Sequence, residues 1–109
     1  MFDAGAAVEY ADLVKSKGER KAIAAVIDKL AEMGERLTPP HMKPLHGGSG
    51  LRELRPRRGA SDWRLIYRRI GPGYVVLTVA RHDDFTMAVG RANARVGTHL
   101  RLDWKGDKP

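Results

Sequence analysis

Apolar residues in the first third of the chain recur at the three- and four-residue steps of an amphipathic helix. Over residues 6–17 this spacing predicts a first helix, with Gly18 placed where a glycine commonly ends one. A second apolar stripe predicts a longer helix over residues 19–37, with its charged residues mainly on the opposite face. Pro39 and Pro40 remove backbone donors and disfavour helical geometry before them, so the predicted helical hairpin ends there.

The middle of the chain changes from helical spacing to strand patterns. Residues 41–50 are rich in turn formers and are expected to form a loop, followed by a short strand over residues 51–55. Two runs of β-branched and aromatic residues, 63–70 and 74–80, flank the turn-forming sequence Gly-Pro-Gly. This pattern predicts a β-hairpin.

A third apolar stripe follows the hairpin, after an aspartate that is expected to cap a helix. Beyond it, alternating apolar residues predict a last short strand over residues 98–104. The order of elements predicts an α+β fold in which the helices gather on one face of a small antiparallel sheet. An N-terminal helical hairpin packs there before the sheet, and a C-terminal helix follows it. We expect one domain over residues 1–109, because this length supports a single modest core. The third stripe consists of Phe85, Ala88, Val89, Ala92 and Val96.

Positive charge is concentrated in the region of the predicted strands. The formal net charge of the chain is +7, and residues 41–82 account for it, mostly as arginine, while the flanking segments nearly cancel. A compact basic surface between neutral segments is typical of proteins that contact phosphate backbones. Nucleic acid is therefore the expected class of partner.

Composition also excludes several kinds of site. The absence of cysteine excludes disulfides, thiolate catalysis and cysteine-based zinc sites. We expect no membrane span, no secretion signal and a cytoplasmic location, because no long apolar run or signal pattern occurs. His41, His46 and His99 lack the spacing of metal ligands, so neither a metal nor a cofactor is expected. The glycine-rich segment 47–50 lacks the features of a phosphate-binding loop and is expected to be a flexible connection.

Strand alternation gathers the arginines on one side of the predicted sheet. It sends Arg64, Ile66 and Arg68 to one side of the strand. The other side, with Trp63, Leu65, Tyr67 and Arg69, is expected to face the helices. Arg64 and Arg68 would then lie on an open face beside Arg55, Arg81 and His82. Converging guanidinium groups repel one another, so an anion such as RNA phosphate would explain them. The alternative is that these arginines only solvate an exposed face and block edge pairing.

His82 stands next to this arginine cluster at a strand end and is the candidate for proton transfer. The alternative is a hydrogen-bonded turn or capping residue. Trp63, Tyr67 and Tyr74 alternate with arginines and could stack on bases. Core packing is the commoner fate of strand aromatics, so we leave them out of the site.

Three short motifs occur in this region in a fixed order: Lys-Pro-Leu at 43–45, Leu-Arg-Glu-Leu-Arg at 51–55 and Trp-Arg-Leu-Ile-Tyr at 63–67. The series resembles RelE/HigB toxins of bacterial toxin–antitoxin pairs, most closely their phage-derived Gp49-like, HigB-type branch. The resemblance extends from the helical hairpin to residue 95. It implies a RelE-like fold and a ribosome-dependent endoribonuclease that cuts mRNA, inhibits translation and growth, and is neutralised by a cognate antitoxin. The antitoxin would be a helix-turn-helix, HigA-like protein, and operator DNA would be bound only through the antitoxin complex.

The resemblance also implies roles for individual residues. Arg64 matches the active-site arginine of the hairpin motif, and Arg55 matches the basic residue that ends the preceding strand. His82 aligns with the basic element that follows the hairpin in this family, with Arg81 beside it. Two departures stand out, because Asp83 occupies the usual arginine position and Val89 stands where some members have a catalytic tyrosine.

These residues suggest metal-independent cleavage in which the ribose 2′-OH attacks the adjacent phosphate. Arg64 and Arg81 would stabilise the developing charge, and His82 would act as general acid or base. Two alternatives remain, a ParE-like toxin that inhibits DNA gyrase without nuclease activity and a catalytically weak RNA-binding relative. The residues expected to hold RNA are Lys43, Arg55, Arg57, Arg58, Arg68 and Arg69.

Overall fold

The computed structural model describes residues 1–46 and 49–106. Within these residues, three α-helices combine with one four-stranded antiparallel sheet. This architecture confirms the predicted α+β fold class with a helical hairpin before the sheet and a helix after it. The elements are α1 (Ala4–Leu13), α2 (Lys17–Met33), β1 (Met42–Pro44), β2 (Arg52–Leu54), β3 (Trp63–Ile70), β4 (Gly73–Arg81) and α3 (Phe85–Gly106).

The first helix is shorter than its apolar stripe predicted. Asp3 caps its start by accepting hydrogen bonds from two backbone N–H groups of the first turn. The helix ends at Leu13, and Gly18 lies in the first turn of α2, so the prediction that Gly18 ends α1 is wrong. The reason is a second cap: the Ser16 hydroxyl accepts a hydrogen bond from the N–H of Glu19 and starts α2 early.

The strands are paired in the order β1-β2-β3-β4, each antiparallel to the next. The β3–β4 hairpin and the short strand β2 lie where they were predicted. The segment 41–50 was predicted to be a loop, and this is wrong for β1, which pairs with β2 and places Lys43 opposite Glu53. Gly47 and Gly48, within the predicted flexible connection, lie outside the described residues.

Helices cover both faces of the sheet, which corrects the expectation that they gather on one face. Trp63, Leu65 and Tyr67 of β3 are buried in a core cluster with α1 and α2. Ile66, on the opposite side of the same strand, is buried against Ala88 and other residues of α3. Strand alternation and the core placement of these aromatics are confirmed, but the side that was expected to be open is occupied by α3.

A bulge in β4 changes the direction of its side chains midway. Leu77 is an extra residue that the pairing with β3 skips. As a result, Val76 and Val79 both pack in the core on the α1 and α2 side, while Leu77 and Ala80 pack against α3. The bulge therefore shifts the alternation of β4 by one residue, so that Val76 and Val79, three positions apart, face the same core.

The C-terminal segment is helical where a last strand was predicted. The helix α3 continues to Gly106, so the strand expected over residues 98–104 is wrong. The N-terminal segment pairs with part of the outer edge of β4: the Asp3 N–H donates to the Val76 carbonyl at 2.8 Å. In the described part of the chain, no helix combines the length and apolar character needed to cross a bilayer.

Candidate functional site

Arg64 is buried instead of open to a ligand, with its side chain only 4% exposed. Its Nε donates to a carboxylate oxygen of Glu53 at 2.9 Å. Its terminal nitrogens donate to three backbone carbonyls, those of Gly59 and Ser61 in the β2–β3 connection and that of Trp63 at the start of β3. The expectation that Arg64 lies on an open face is wrong, because the connection folds over it and its carbonyls replace water around the guanidinium. The bonds of Arg64 hold this connection in shape.

The β2–β3 connection contains two arginines in a strained backbone conformation. Arg57 and Arg58 have φ values of 53° and 57°, in the left-handed region. For residues other than glycine this conformation costs roughly 1–2 kcal/mol each. Arg57 donates from a terminal nitrogen to the Gly18 carbonyl at 3.3 Å, and both arginine side chains are exposed beside α2. The turn thus presents two cations next to the second helix.

A groove of about 290 Å³ lies between this turn and α2. Three residues of α2 form a small apolar floor, and basic side chains surround it. Burial lowers the pKa of His41 at this groove, and the positive charges of Lys29 and Arg58 lower it further. The lining residues are Ala22, Ala25, Val26, Lys29, His41, Arg57 and Arg58.

Arg81 and His82 lie side by side, both exposed, at the end of β4. The Arg81 guanidinium lies over the Trp63 ring, 4.8 Å from its centre, which orients the cation. The backbone N–H of His82 donates to the Asp62 carbonyl at 2.7 Å. Together with Asp83, these residues line a cleft of about 220 Å³. An imidazole, a guanidinium and two carboxylates can therefore reach the same ligand.

Arg81 also borders a larger cleft, of about 390 Å³, between α1, the end of the sheet and α3. Its charged lining is mixed, with two carboxylates from α1 and that of Asp84, directly before α3, beside two arginines. Across residues 1–46 and 49–106, no group of three or more histidine and acidic side chains is arranged to hold a metal ion. The lining residues are Glu9, Asp12, Leu13, Trp63, Ala80, Arg81, Asp84 and Arg91.

The remaining basic residues are spread around the rim of the fold. Arg55 is half-buried with its Nε 3.5 Å from a Glu53 oxygen, and Arg68 is half-buried with its Nε donating to a backbone carbonyl. Lys43 is exposed on β1, and Arg69 is exposed near the hairpin turn. The prediction that the arginines converge on one concave face is therefore wrong, because the two faces of the sheet are taken up by helices.

Sequence reasoning missed a charged cluster that joins α1 to α3. Glu9 accepts a hydrogen bond from Arg95 at 2.9 Å and pairs with Arg91 at 3.1 Å. Asp3 lies 2.8 Å from the His99 Nε2. The signal was present in the spacing, since Arg91, Arg95 and His99 recur every four residues and share one face of a helix.

In this cluster, hydrogen bonds lower the pKa values of the two carboxylates by more than burial raises them. Burial by itself would raise the pKa of Glu9, but hydrogen bonds from Arg95, Thr78 and the Val79 N–H lower it below its usual range. Burial would likewise raise the pKa of Asp3, and the bond to His99 together with two backbone N–H groups lowers it. Both carboxylates are therefore held in the charged form.

A second missed contact ties the end of α2 to the sheet. Arg52 donates to Glu35 at 2.8 Å, and the Tyr74 hydroxyl donates to the same carboxylate at 2.6 Å. The bond from Arg52, followed by that from Tyr74, lowers the pKa of Glu35 to about 2. Arg52 is thus engaged in structure, and the bond places the turn after α2 against β2 and β4.

A family model described as phage derived protein Gp49-like (DUF891) matches residues 13–80. The match includes α2 and nearly the whole sheet, and it ends before Arg81 and His82, short of the predicted limit at residue 95. No curated protein and no solved structure matches the chain. Because the match spans more than half of its residues, this chain belongs to the phage-derived Gp49-like family, part of the toxin–antitoxin-related RelE/HigB-like group.

Proposed function

We propose that this protein is the toxin of a type II toxin–antitoxin pair and that it cleaves mRNA on the ribosome without a metal ion, in the cytoplasm. Cleavage would inhibit translation and growth. Family membership supports the toxin–antitoxin relation. The nuclease activity rests on one observation, the exposed Arg81–His82 pair in a cleft that also presents two carboxylates.

The chemistry this cleft could perform is transfer within the RNA itself. The ribose 2′-OH would attack the adjacent phosphorus, the bond to the 5′ oxygen would break, and a cyclic phosphate and a free 5′-hydroxyl would form. His82 would take the proton from the 2′-OH or supply one to the departing oxygen. Asp62, Asp83 or a ribosomal group would carry out the other proton transfer. Arg81 would stabilise charge on the phosphate oxygens, a role usually worth about a hundredfold in rate or more.

Arg64 would take part as a positioning residue. Its bonds to Gly59, Ser61 and Trp63 hold the connection that precedes the cleft and the ring on which Arg81 lies. Phosphates of mRNA and ribosomal RNA would be bound by the peripheral cations, so binding should weaken steeply as salt is raised. These cations are Lys43, Arg55, Arg57, Arg58, Arg68 and Arg69.

The proposed partner of this protein is a cognate antitoxin, since the family suggests such a partner. We expect a helix-turn-helix, HigA-like protein that binds the toxin tightly. Operator DNA would be contacted by the antitoxin and not by this chain alone.

Two observations favour a second candidate function. Arg64, which the resemblance placed in the active site, is buried and fully engaged in hydrogen bonds. Val89 stands where some relatives have a catalytic tyrosine. A toxin that binds DNA gyrase in the manner of ParE, or an RNA-binding relative with weak activity, would need neither residue at a reaction centre.

The deciding experiment is primer extension on a reporter mRNA after induction of the wild type and His82→Ala, with and without active translation. We expect discrete cuts that depend on translation and are lost in His82→Ala. Arg36→Ala, an exposed arginine outside the cleft, is the matched control and should cut like the wild type. Growth arrest with an intact message, accompanied by gyrase-linked DNA breaks, would establish the second candidate instead.

A further inference from the structure

The groove between α2 and the β2–β3 connection differs in character from the Arg81–His82 cleft. Its floor is apolar, formed by Ala22, Ala25 and Val26 of α2. Lys29 and Arg58 stand exposed at its rim. None of the described residues that line this groove is a carboxylate. One basic lining residue, Arg57, pairs with Glu19 at 3.6 Å. Lys29 and Arg58 still give the apolar centre a positive border, which an acidic amphipathic ligand would complement.

The backbone conformation of Arg58, at the rim of the groove, suggests that its side chain binds a ligand. Arg58 adopts φ 57°, a conformation that glycine or asparagine would reach at lower cost. Its position on the border of the groove gives a reason for an arginine at this strained site. Strained residues of this kind are characteristic of binding sites.

The lining favours a protein segment over RNA as the occupant. Single-stranded RNA is commonly held by bases stacked on aromatic side chains. In the part of the chain that the structure describes, no phenylalanine, tyrosine or tryptophan lines this groove. An apolar side chain can instead pack on the alanine floor, and flanking carboxylates can reach Lys29 and Arg58, which gives each part of the groove a partner.

We propose that this groove binds an acidic amphipathic segment of the cognate antitoxin, with an apolar side chain over Ala25 and carboxylates on Lys29 and Arg58. The inference rests on the proposed toxin role. It also implies competition, because Arg57 and Arg58 are among the cations proposed to hold RNA. An occupied groove would withdraw both from the ribosome-bound message.

The test is a display selection of randomised helical peptides against the full chain, followed by binding measurements on two variants. Ala25→Glu places a carboxylate on the floor of the groove. Ala24→Glu adds the same charge at the neighbouring exposed position of α2, which does not line it. We expect the selected peptides to be acidic with an apolar centre, and to bind Ala25→Glu about tenfold more weakly or worse, but Ala24→Glu like the wild type.

Selected peptides that are basic or neutral, or that bind Ala25→Glu and the wild type equally, would overturn the proposal. So would a single-stranded RNA probe that loses affinity in Ala25→Glu while no peptide does, since the groove would then be an RNA surface. Primer extension with the unaltered protein tests the toxin role separately. Peptide binding without message cleavage would support the groove as a binding site and contradict the proposed nuclease activity.

Discussion

Arg64 of β3 and Glu53 of β2 form an ion pair that is almost entirely closed to solvent, with Nε and Oε1 2.9 Å apart. A third residue, Arg55, approaches the same oxygen at 3.5 Å. The pair joins two neighbouring strands and, through the remaining nitrogens of Arg64, fixes the connection between them. The sequence alone assigned Arg64 and Arg81 the same role at the reacting phosphate. In the structure, Arg64 is buried and supports the β2–β3 connection, whereas Arg81 is exposed at the end of β4.

Removing one member of this pair should destabilise the fold. Arg64→Ala leaves Glu53 and three backbone carbonyls without their donor, and breaking a buried pair in this way costs about 3–5 kcal/mol. Urea unfolding followed by circular dichroism measures the loss. Arg69→Ala, at an exposed arginine of the same strand, should change the free energy of unfolding by less than about 0.5 kcal/mol. Equal midpoints for the two variants would contradict the structural role of Arg64.

Arg81 should show the opposite behaviour. Its side chain is exposed, and its stacking on Trp63 is worth about 0.5–1 kcal/mol at such a site, so Arg81→Ala should fold nearly normally. If Arg81 stabilises the reacting phosphate, the rate of message cleavage should fall about a hundredfold or more. The measurement pairs cleavage in a translation extract with urea unfolding of the same preparation. Loss of cleavage only in proportion to loss of stability would remove Arg81 from the site.

The charged cluster between α1 and α3 should make stability sensitive to acid. The pKa of Glu9 is lowered in the folded protein, so its contribution is present above the unfolded value and is lost as the pH falls through the folded one. We expect the free energy of unfolding to decline below about pH 4. Glu9→Gln should be less stable at neutral pH by about 1–3 kcal/mol and should lose less stability on acidification.

Urea unfolding between neutral and acidic pH provides this measurement. Asp12→Asn changes an exposed acid of the same helix and should keep the wild-type acid slope. The carboxyl of Glu35 also has a lowered pKa, of about 2, but its side chain is 44% exposed and solvent screening reduces its share. An unchanged acid slope in Glu9→Gln would show that the cluster does not couple stability to pH.

The elements that sequence reasoning placed well are those with a long, regular period. The stripe through Ile23, Val26 and Leu30 and the two runs of the β-hairpin repeat often enough to indicate both element and buried side. The strand β1 has three residues and ends in Pro44, too little to show alternation. The alternation of Leu100 and Leu102 indicated a strand, yet α3 continues through both residues, and the N-terminal segment pairs with β4 at Val76.

The candidate site shows a different limit. Alternation correctly placed Arg64 opposite Trp63, Leu65 and Tyr67, but it cannot say what covers the side that Arg64 shares with Ile66. What covers that side depends on where α3 packs and on how the β2–β3 connection folds. Both are decided by contacts between residues that are far apart in the sequence. Arg81 and His82 could be anticipated because they end a strand and are followed by acids, a position where side chains reach solvent.

The backbone of Arg58 offers a test that separates the effect of its strained conformation on stability from the effect of its charge on binding. Arg58→Gly removes the cation and relieves a left-handed conformation that costs about 1–2 kcal/mol, whereas Arg58→Ala removes the same cation and keeps the strain. We expect Arg58→Gly to be more stable than Arg58→Ala by about 1 kcal/mol in urea unfolding. Both variants should bind acidic peptides and single-stranded RNA more weakly than the wild type, and to the same extent. If Arg58→Gly were no more stable than Arg58→Ala, the turn would not be strained at this residue, and if both bound like the wild type, its charge would serve no ligand.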